Sequence, residues 1–153
     1  YKRQAMRHGI LAGYPVVNIK VTVVDGSYHP VDSSEMAFKV AGSMALKRAL
    51  EQCNPIILEP IEKIEIIVDE QYMGEVIGDI NSKRGKVLGM KSDNGKQIIE
   101  ALVPLAEILS YSNDLNSITQ GTGAFTQQHS HYEPAPPKVI EKVIQNSKIE
   151  EKE

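Results

Sequence analysis

The stretch IEKIEIIVDEQYMGEVIGDINSKRG, residues 61–85, changes its hydrophobic period part-way along. In its first half Ile64, Ile66 and Val68 alternate with Lys63 and Glu65, which is the two-residue period of a strand. Its second half places apolar residues on one helical face and then reaches a glycine that can end the helix: Met73, Val76, Ile77, Ile80 and Gly85. The stretch therefore predicts a strand followed directly by a helix.

The residues that follow continue this alternation of strands and helices. Two extended runs, 86–90 and 97–103, are joined at 92–95 by a turn signature that ends in Asn-Gly. A second helix is predicted through Ile108, Leu115 and Ile118 and ends near Thr119-Gln120-Gly121, and a polar last strand covers 124–131. The order strand, helix, strand, strand, helix, strand is that of a ferredoxin-like βαββαβ domain, so the predicted class is α+β.

The residues before this domain predict a separate strand, tip and helix. Apolar residues alternate over 15–24 and the run ends at the turn signal Asp25-Gly26. Asp32 and Glu35 have the spacing of a capping box and begin a helix to about Cys53. Its alanines fall four apart, which predicts a narrow stripe against a sheet: Ala37, Ala41, Ala45 and Ala49. The three elements form an arm with the sequence GSYHP at one end.

The ends of the chain suggest a piece of a longer protein. The first seven residues, YKRQAMR, are typical of a helix already under way, because no capping residue precedes them. After the second domain, the proline-rich segment 134–137 predicts a stiff connection to a short amphipathic helix and a frayed tail. We therefore divide the chain into 1–55, 59–132 and 133–153.

Composition and charge favour a folded protein with an unevenly distributed charge. The 153 residues are 41% hydrophobic and 24% charged, with a single cysteine. No apolar run approaches the roughly 20 residues of a membrane span, which favours the cytoplasm. The net charge is −3, yet residues 1–54 hold seven basic and four acidic residues, whereas 59–133 hold six and twelve. An RNA partner would be attracted by the first half and by local clusters in the second.

Most chemistry-bearing patterns are absent or have a structural explanation. Neither GxxxxGK[ST] nor GxGxxG after a strand occurs, so we expect no nucleotide to bind this chain. His129 and His131 share one side of a strand, but without a third ligand we interpret them as structural or surface residues. Cys53 is interpreted as a small apolar residue, and Asp25 with Asp32 as a turn residue and a helix cap. We predict no catalytic residue, cofactor or metal site.

Three features bear on RNA binding. The predicted central strands carry apolar and acidic residues instead of aromatic rings, which argues against base stacking on the sheet: Val87, Leu88, Ile98, Glu100 and Leu102. The cluster Lys83, Arg84 and Lys86 suits either a helix dipole or a phosphate. At the tip, Tyr28 and His29 either decorate a solvated turn or offer an imidazole that stacks on a base or donates to a phosphate. The residues alone do not decide between the two roles of the basic cluster or between the two roles of the tip.

The order and identity of several segments closely resemble the C-terminal part of bacterial elongation factor G. These segments are LAGYPVVNIKVTVVDGSYHPVDSSEMAFKVAGSMALKRAL (11–50), PIILEPIEKIEI (55–66), YMGEVIGDINSKRGKVLGM (72–90) and ALVPLAEILSYSNDLNSITQGTGAF (101–125). The similarity runs from about residue 9 to 132, and GSYHPVDSSE with EVIGDINSKRG is its most specific part. The resemblance implies that 1–55 is the second half of domain IV, similar to domain 2 of ribosomal protein S5, and that 59–132 is domain V.

The resemblance also implies partners and site residues. The domain IV tip would meet tRNA, mRNA and 16S rRNA at the decoding centre through Gly26, Ser27, Tyr28, His29 and Pro30. Domain V would face 23S rRNA through Lys83, Arg84 and Lys86, with a weaker candidate loop at Gln120, Gly121, Thr122 and Gly123. GTP and magnesium would bind a GTPase domain upstream, and neither a membrane nor DNA is expected as a partner. The tip would act as a wedge that stops tRNA and mRNA from slipping back.

This chain departs from the family pattern at several positions. Ser82-Lys83-Arg84 stands where an arginine triplet is common, Thr122 stands near the place of a common positive residue, and the last strand is more polar at 127–130. Fewer cations predict a weaker contact with the large subunit. The departures are also compatible with a divergent paralogue of the housekeeping factor. The alternative function is a related ribosome-associated GTPase in recycling or ribosome protection. The tip sequence GSYHPVDSSE favours translocation.

Overall fold

The computed structural model describes residues 6–150, with side chains to 147, and these form two compact units. One unit is Leu58–Pro134, and the other combines 6–57 with 135–150. In chain order the helices and strands are α1 Glu35–Gln52, β1 Leu58–Asp69, α2 Met73–Ser82, β2 Lys86–Asp93, β3 Lys96–Pro104, α3 Tyr111–Thr119, β4 Ala124–Pro134 and α4 Pro137–Glu150. Short 3-10 turns at Glu70–Tyr72 and Leu105–Glu107 precede α2 and α3. No helix within the described range is both long and apolar enough to cross a bilayer.

The unit from β1 to β4 has the predicted ferredoxin-like order of elements. Its four strands lie in the order β2-β3-β1-β4, and every neighbouring pair is antiparallel. The alternating residues of β1 face a core that β3 and the two helices complete: Ile64, Ile66, Val68, Val76, Ile80, Ile99, Ala101, Val103, Ile108, Tyr111 and Leu115. The predicted α+β class is confirmed.

The Asn-Gly signature predicted the hairpin between β2 and β3 correctly. Asn94 and Gly95 have φ angles of 49° and 82°, and Asp93 pairs with Lys96 across the turn. Two successive positive φ angles define a type I′ turn, whose twist matches that of the flanking strands.

The end of α2 is fixed by a tight helix-capping motif. Gly85 N–H donates to Ile80 O at 2.8 Å and Arg84 N–H donates to Asn81 O at 3.2 Å, which together form a Schellman motif. Arg84 takes the left-handed position with φ 59°. A Cβ on Gly85 would lie 2.5 Å from Ile80 Cγ2 and 2.9 Å from Val103 Cγ2. The helix therefore stops where predicted, and the glycine is needed for close packing.

The long helix of the other unit forms as predicted, but its cap and its packing differ. The side chain of Ser34, not that of Asp32, caps α1 by accepting a hydrogen bond from Ala37 N–H at 3.1 Å. The buried residues of α1 are Leu46 and Leu50, whereas the predicted alanine stripe is exposed. No sheet lies against the alanines within the described part of this unit, so the predicted contact is wrong.

The strand predicted over 15–24 is not formed. Its alternating apolar residues are exposed, and no strand of residues 6–57 lies beside it to share backbone hydrogen bonds. A single extended segment without a partner leaves its backbone groups to water, so alternation alone does not make a strand. The helix predicted at the start of the chain falls mostly on residues 1–5, outside the described range, and residues 6–7 form a turn.

Candidate nucleic-acid interface

The tip at residues 26–30 is fully accessible. Every residue from 26 to 32 is exposed, and the His29 side chain retains 67% of its accessible surface. The segment lies between Asp25 and the start of α1. An imidazole packed inside the protein would have excluded an RNA contact, and His29 is not packed inside.

Local hydrogen bonds give the tip a defined backbone. Asp25 Oδ1 accepts from Gly26 N–H at 2.7 Å, but residues 25–29 form no turn, and the chain turns later, at 30–32. His29 and Ser33 form two hydrogen bonds: His29 N–H donates to Ser33 Oγ at 2.7 Å, and Ser33 N–H donates to His29 O at 3.0 Å. Residues 29–33 therefore form a closed turn at the start of the helix, and residues 26–28 lead into that turn.

Tyr28 and His29 behave differently, although both are exposed. The Tyr28 ring lies parallel to the Phe38 ring of α1, with centroids 6.5 Å apart and planes 6° apart. Tyr28 thus folds back on the helix, which corresponds to the structural alternative for this residue. His29 has no such ring partner among residues 6–150, so its faces stay open to a ligand.

One nitrogen of the His29 ring faces the protein. Nδ1 lies 3.4 Å from the Val31 N–H donor and 3.6 Å from Asp32 Oδ2. Nε2 has no hydrogen-bond partner within the described residues. The ring therefore presents its outer nitrogen to solvent.

Arg84 is the most heavily paired cation of the predicted large-subunit cluster. Its Nη1 and Nη2 donate to the two carboxylate oxygens of Glu59 at 2.8 and 3.0 Å, and its Nε donates to Glu107 at 2.9 Å. These hydrogen bonds, those to Glu59 foremost, raise the pKa of Arg84 above its ordinary value. Carboxylates of the protein thus hold three of the five guanidinium N–H groups.

Lys83 is also held by acidic side chains. Its Nζ lies 3.0 Å from Asp114 and 3.2 Å from Asp79, and its side chain is only 17% exposed. Burial alone would lower the pKa of Lys83, but the hydrogen bonds to Asp114 and Asp79 outweigh burial and raise it. Asp79 lies one helical turn before Lys83, a spacing that the sequence shows. Asp114 and both carboxylate partners of Arg84 lie on other elements, so the sequence pattern did not reveal them.

Lys86 differs from its two neighbours in the cluster. It is exposed at the first residue of β2, and no carboxylate within the described range pairs with it. Of the three predicted cations, Lys86 alone therefore has a charge available to a phosphate without breaking an ion pair.

The loop after α3 is ordered, exposed and uncharged. Gln120 and Gly121 have φ angles of 53° and 83°. Thr122 Oγ1 donates to Thr119 O at 2.8 Å, and Gly123 N–H donates to Thr119 Oγ1 at 2.9 Å. The loop can offer backbone and hydroxyl groups to RNA, but it brings no cation of its own.

The open face of the sheet is unsuited to base stacking, as predicted. Neither central strand, β1 or β3, contains an aromatic residue. On this face Glu100 accepts hydrogen bonds from Lys63 at 3.0 Å and Lys91 at 3.1 Å, which lower the pKa of Glu100. A salt-bridged polar surface takes the place of an aromatic platform.

The two histidines of β4 have separate partners. His129 Nδ1 lies 3.1 Å from Glu62, whereas His131 contacts Ser130 and Glu133, each at 2.8 Å. No group of three metal-ligating side chains occurs among residues 6–150. Cys53 is exposed and follows α1, where its N–H donates to Ala49 O at 3.1 Å.

A solved structure is similar to this chain over most of its length. A crystal structure of a protein from Thermus thermophilus is similar to this chain with a TM-score of 0.83 and 38% identity, over 95% of this chain and 22% of that chain. This chain therefore spans about a fifth of the length of that protein.

The family assignment follows from two adjoining matches. "Elongation factor G, domain IV" matches residues 2–54, and "Elongation factor G C-terminus" matches residues 56–143. The chain belongs to the elongation factor G family and comprises these two C-terminal regions.

Proposed function

We propose that this chain is the ribosome-binding C-terminal part of a translational GTPase that moves tRNA and mRNA through the ribosome. The observation that carries the proposal is the exposed tip at 26–30, which presents the His29 imidazole on a hydrogen-bonded turn. The parent would work in the cytoplasm and would bind GTP and magnesium in a domain upstream of these residues. This chain would contribute RNA contacts and no nucleotide chemistry.

The tip supports this role through its shape and chemistry. It stands at the start of α1, an 18-residue helix that at about 1.5 Å per residue is roughly 27 Å long. An imidazole can stack on a base and can donate a hydrogen bond to a phosphate or to a base acceptor. Because the turn is already closed by hydrogen bonds, little conformational entropy is lost when it docks. The tip is therefore suited to occupy the space that tRNA and mRNA vacate.

The second unit supports a contact with large-subunit rRNA, with Lys86 as its available cation. The loop Gln120, Gly121, Thr122 and Gly123 would add hydrogen-bonding groups. Arg84 and Lys83 stay in the proposed surface as neighbours, but their charges are balanced within the protein.

The test is the substitution His29→Ala in the full-length parent, with His8→Ala as the matched control. His8 is also an exposed histidine, and it lies outside the tip. Loss of one stacking or donor contact, worth about 1–3 kcal/mol, should slow single-round translocation by roughly 5- to 150-fold. Ribosome-stimulated GTP hydrolysis should stay within about twofold of the parent.

The contrary outcomes separate the candidate functions. A His29→Ala parent that translocates at the unsubstituted rate removes the tip imidazole from the mechanism. If that variant instead slows only the splitting of ribosomal subunits, the parent is a recycling factor and translocation is the wrong assignment.

A further inference from the structure

We propose that Ser33 is the positioning residue for the His29 imidazole and that it holds Nε2–H outward as a donor to an acceptor atom of RNA. This inference rests on the proposed function, because the RNA partner comes from there. The geometry itself belongs to the chain and can be tested without a ribosome.

The first support is the double hydrogen bond between the two residues. Ser33 Oγ accepts from His29 N–H at 2.7 Å, and Ser33 N–H donates to His29 O at 3.0 Å. Both backbone groups of His29 are thereby tied to one residue. Pro30, the next residue, has its φ fixed by its ring. The backbone that carries the imidazole therefore has few alternative conformations.

The second support is the arrangement around the ring. Val31 N–H can only donate, so its 3.4 Å contact with Nδ1 favours the tautomer in which Nδ1 accepts. The ring proton is then on Nε2, which has no partner among the described residues. Asp32 Oδ2 lies on the Nδ1 side, 3.6 Å away, and leaves the outer nitrogen clear. A phosphate oxygen, a base carbonyl or an unprotonated ring nitrogen would be the matching acceptor.

The adjacent serine provides a matched control. Ser34 Oγ accepts from Ala37 N–H at 3.1 Å and caps α1, and none of its hydrogen bonds involves His29. Ser33→Ala and Ser34→Ala each remove one hydroxyl and one hydrogen bond from neighbouring positions. They should nevertheless affect different amides.

The structural test is amide hydrogen exchange, measured by NMR on this chain. Ser33→Ala should speed exchange at the His29 and Val31 amides by about fivefold, the effect of losing one ordinary hydrogen bond, and should leave Ala37 unchanged. Ser34→Ala should speed exchange at Ala37 and leave His29 unchanged. Ser33→Thr keeps the hydroxyl and should restore protection at His29. Unchanged exchange at His29 in Ser33→Ala overturns the positioning role, whatever the ribosome does.

The functional test is a double-mutant cycle in the full-length parent. Ser33→Ala should slow translocation by about fivefold, and the Ser33→Ala/His29→Ala pair should be no slower than His29→Ala alone, because both act through one ring. Ser34→Ala and His29→Ala should instead add. If His29→Ala slows translocation and Ser33→Ala does not, the positioning proposal fails. If His29→Ala has no effect, the proposed function fails, and the exchange data still decide whether Ser33 holds His29.

Discussion

Arg84 combines a backbone role and a side-chain role at the end of α2. Its backbone takes a left-handed position at which helices commonly have glycine, and its guanidinium binds Glu59 and Glu107. Glu59 is the second residue of β1 and Glu107 is the last residue of the 3-10 turn after β3, so one side chain connects three elements. The family resemblance assigns Arg84 to rRNA binding, while its contacts indicate a structural contribution.

Replacing Arg84 by alanine should therefore lower stability more than ribosome affinity. The free energy of unfolding should fall by about 1–3 kcal/mol, because Glu59, whose side chain is only 12% exposed, loses its charged partner. Arg84→Lys keeps the charge but not the two-pronged geometry, and should recover only part of the loss. Urea unfolding of both variants measures the effect. If Arg84→Ala leaves stability unchanged and the full-length Arg84→Ala parent binds ribosomes weakly, Arg84 contacts RNA and does not stabilise the fold.

Lys86 should give the opposite result. Lys86→Glu in the full-length parent should weaken ribosome binding and reduce the slope of log affinity against log salt by about 1 or more, because an unpaired cation is lost and an anion is added. Lys91→Glu, in the same strand but hydrogen-bonded to Glu100, is the control and should leave the slope unchanged. Equal effects of the two substitutions would show that net charge, not the position of Lys86, governs binding.

At the scale of elements, prediction from sequence succeeded where the signal and its partner lie within one unit. The alternation of β1, the Asn-Gly turn after β2 and the apolar face of α2 all find their packing partners between 58 and 134. The alternation over 15–24 is as regular, yet it forms no strand, because no described strand pairs with it. Likewise Ser34 caps α1 although Asp32 has the expected spacing, because cap choice depends on local geometry.

Gly85 tests the packing between α2 and the sheet. Gly85→Ala should lower the free energy of unfolding by several kcal/mol, roughly 2–4, because its Cβ would overlap Ile80 and Val103, both fully buried. Gly78→Ala within α2 meets no atom within 4 Å, and should stabilise the chain by about 0.5–1 kcal/mol. Thermal or urea unfolding distinguishes the two. A tolerated Gly85→Ala would mean that α2 and β3 can move apart without cost.

At the scale of the whole molecule, the candidate site was predictable in position but not in detail. Turn signals and the family resemblance located the tip and the basic cluster, and the tip is exposed as they require. The pair of Lys83 with Asp79 has the four-residue spacing of a helix and could have been predicted. The pairs of Lys83 with Asp114 and of Arg84 with Glu59 could not, because they join residues 31 and 25 positions apart that only the fold brings together. The charge available to RNA is consequently smaller than the count of lysines and arginines suggests.

Tethered cleavage of RNA by the full-length parent on the ribosome tests whether the tip meets RNA at the decoding centre. The starting protein is a parent without other reactive cysteines, in which Cys53 is replaced by serine. An iron chelate is then attached to a single cysteine, introduced by Ser27→Cys or by Thr122→Cys. We predict that the probe at 27 cleaves 16S rRNA, tRNA or mRNA near the decoding centre, and that the probe at 122 cleaves 23S rRNA. Cleavage of the same rRNA from both positions, or no cleavage from position 27, would contradict the proposal that the tip meets the decoding centre while the second unit meets 23S rRNA.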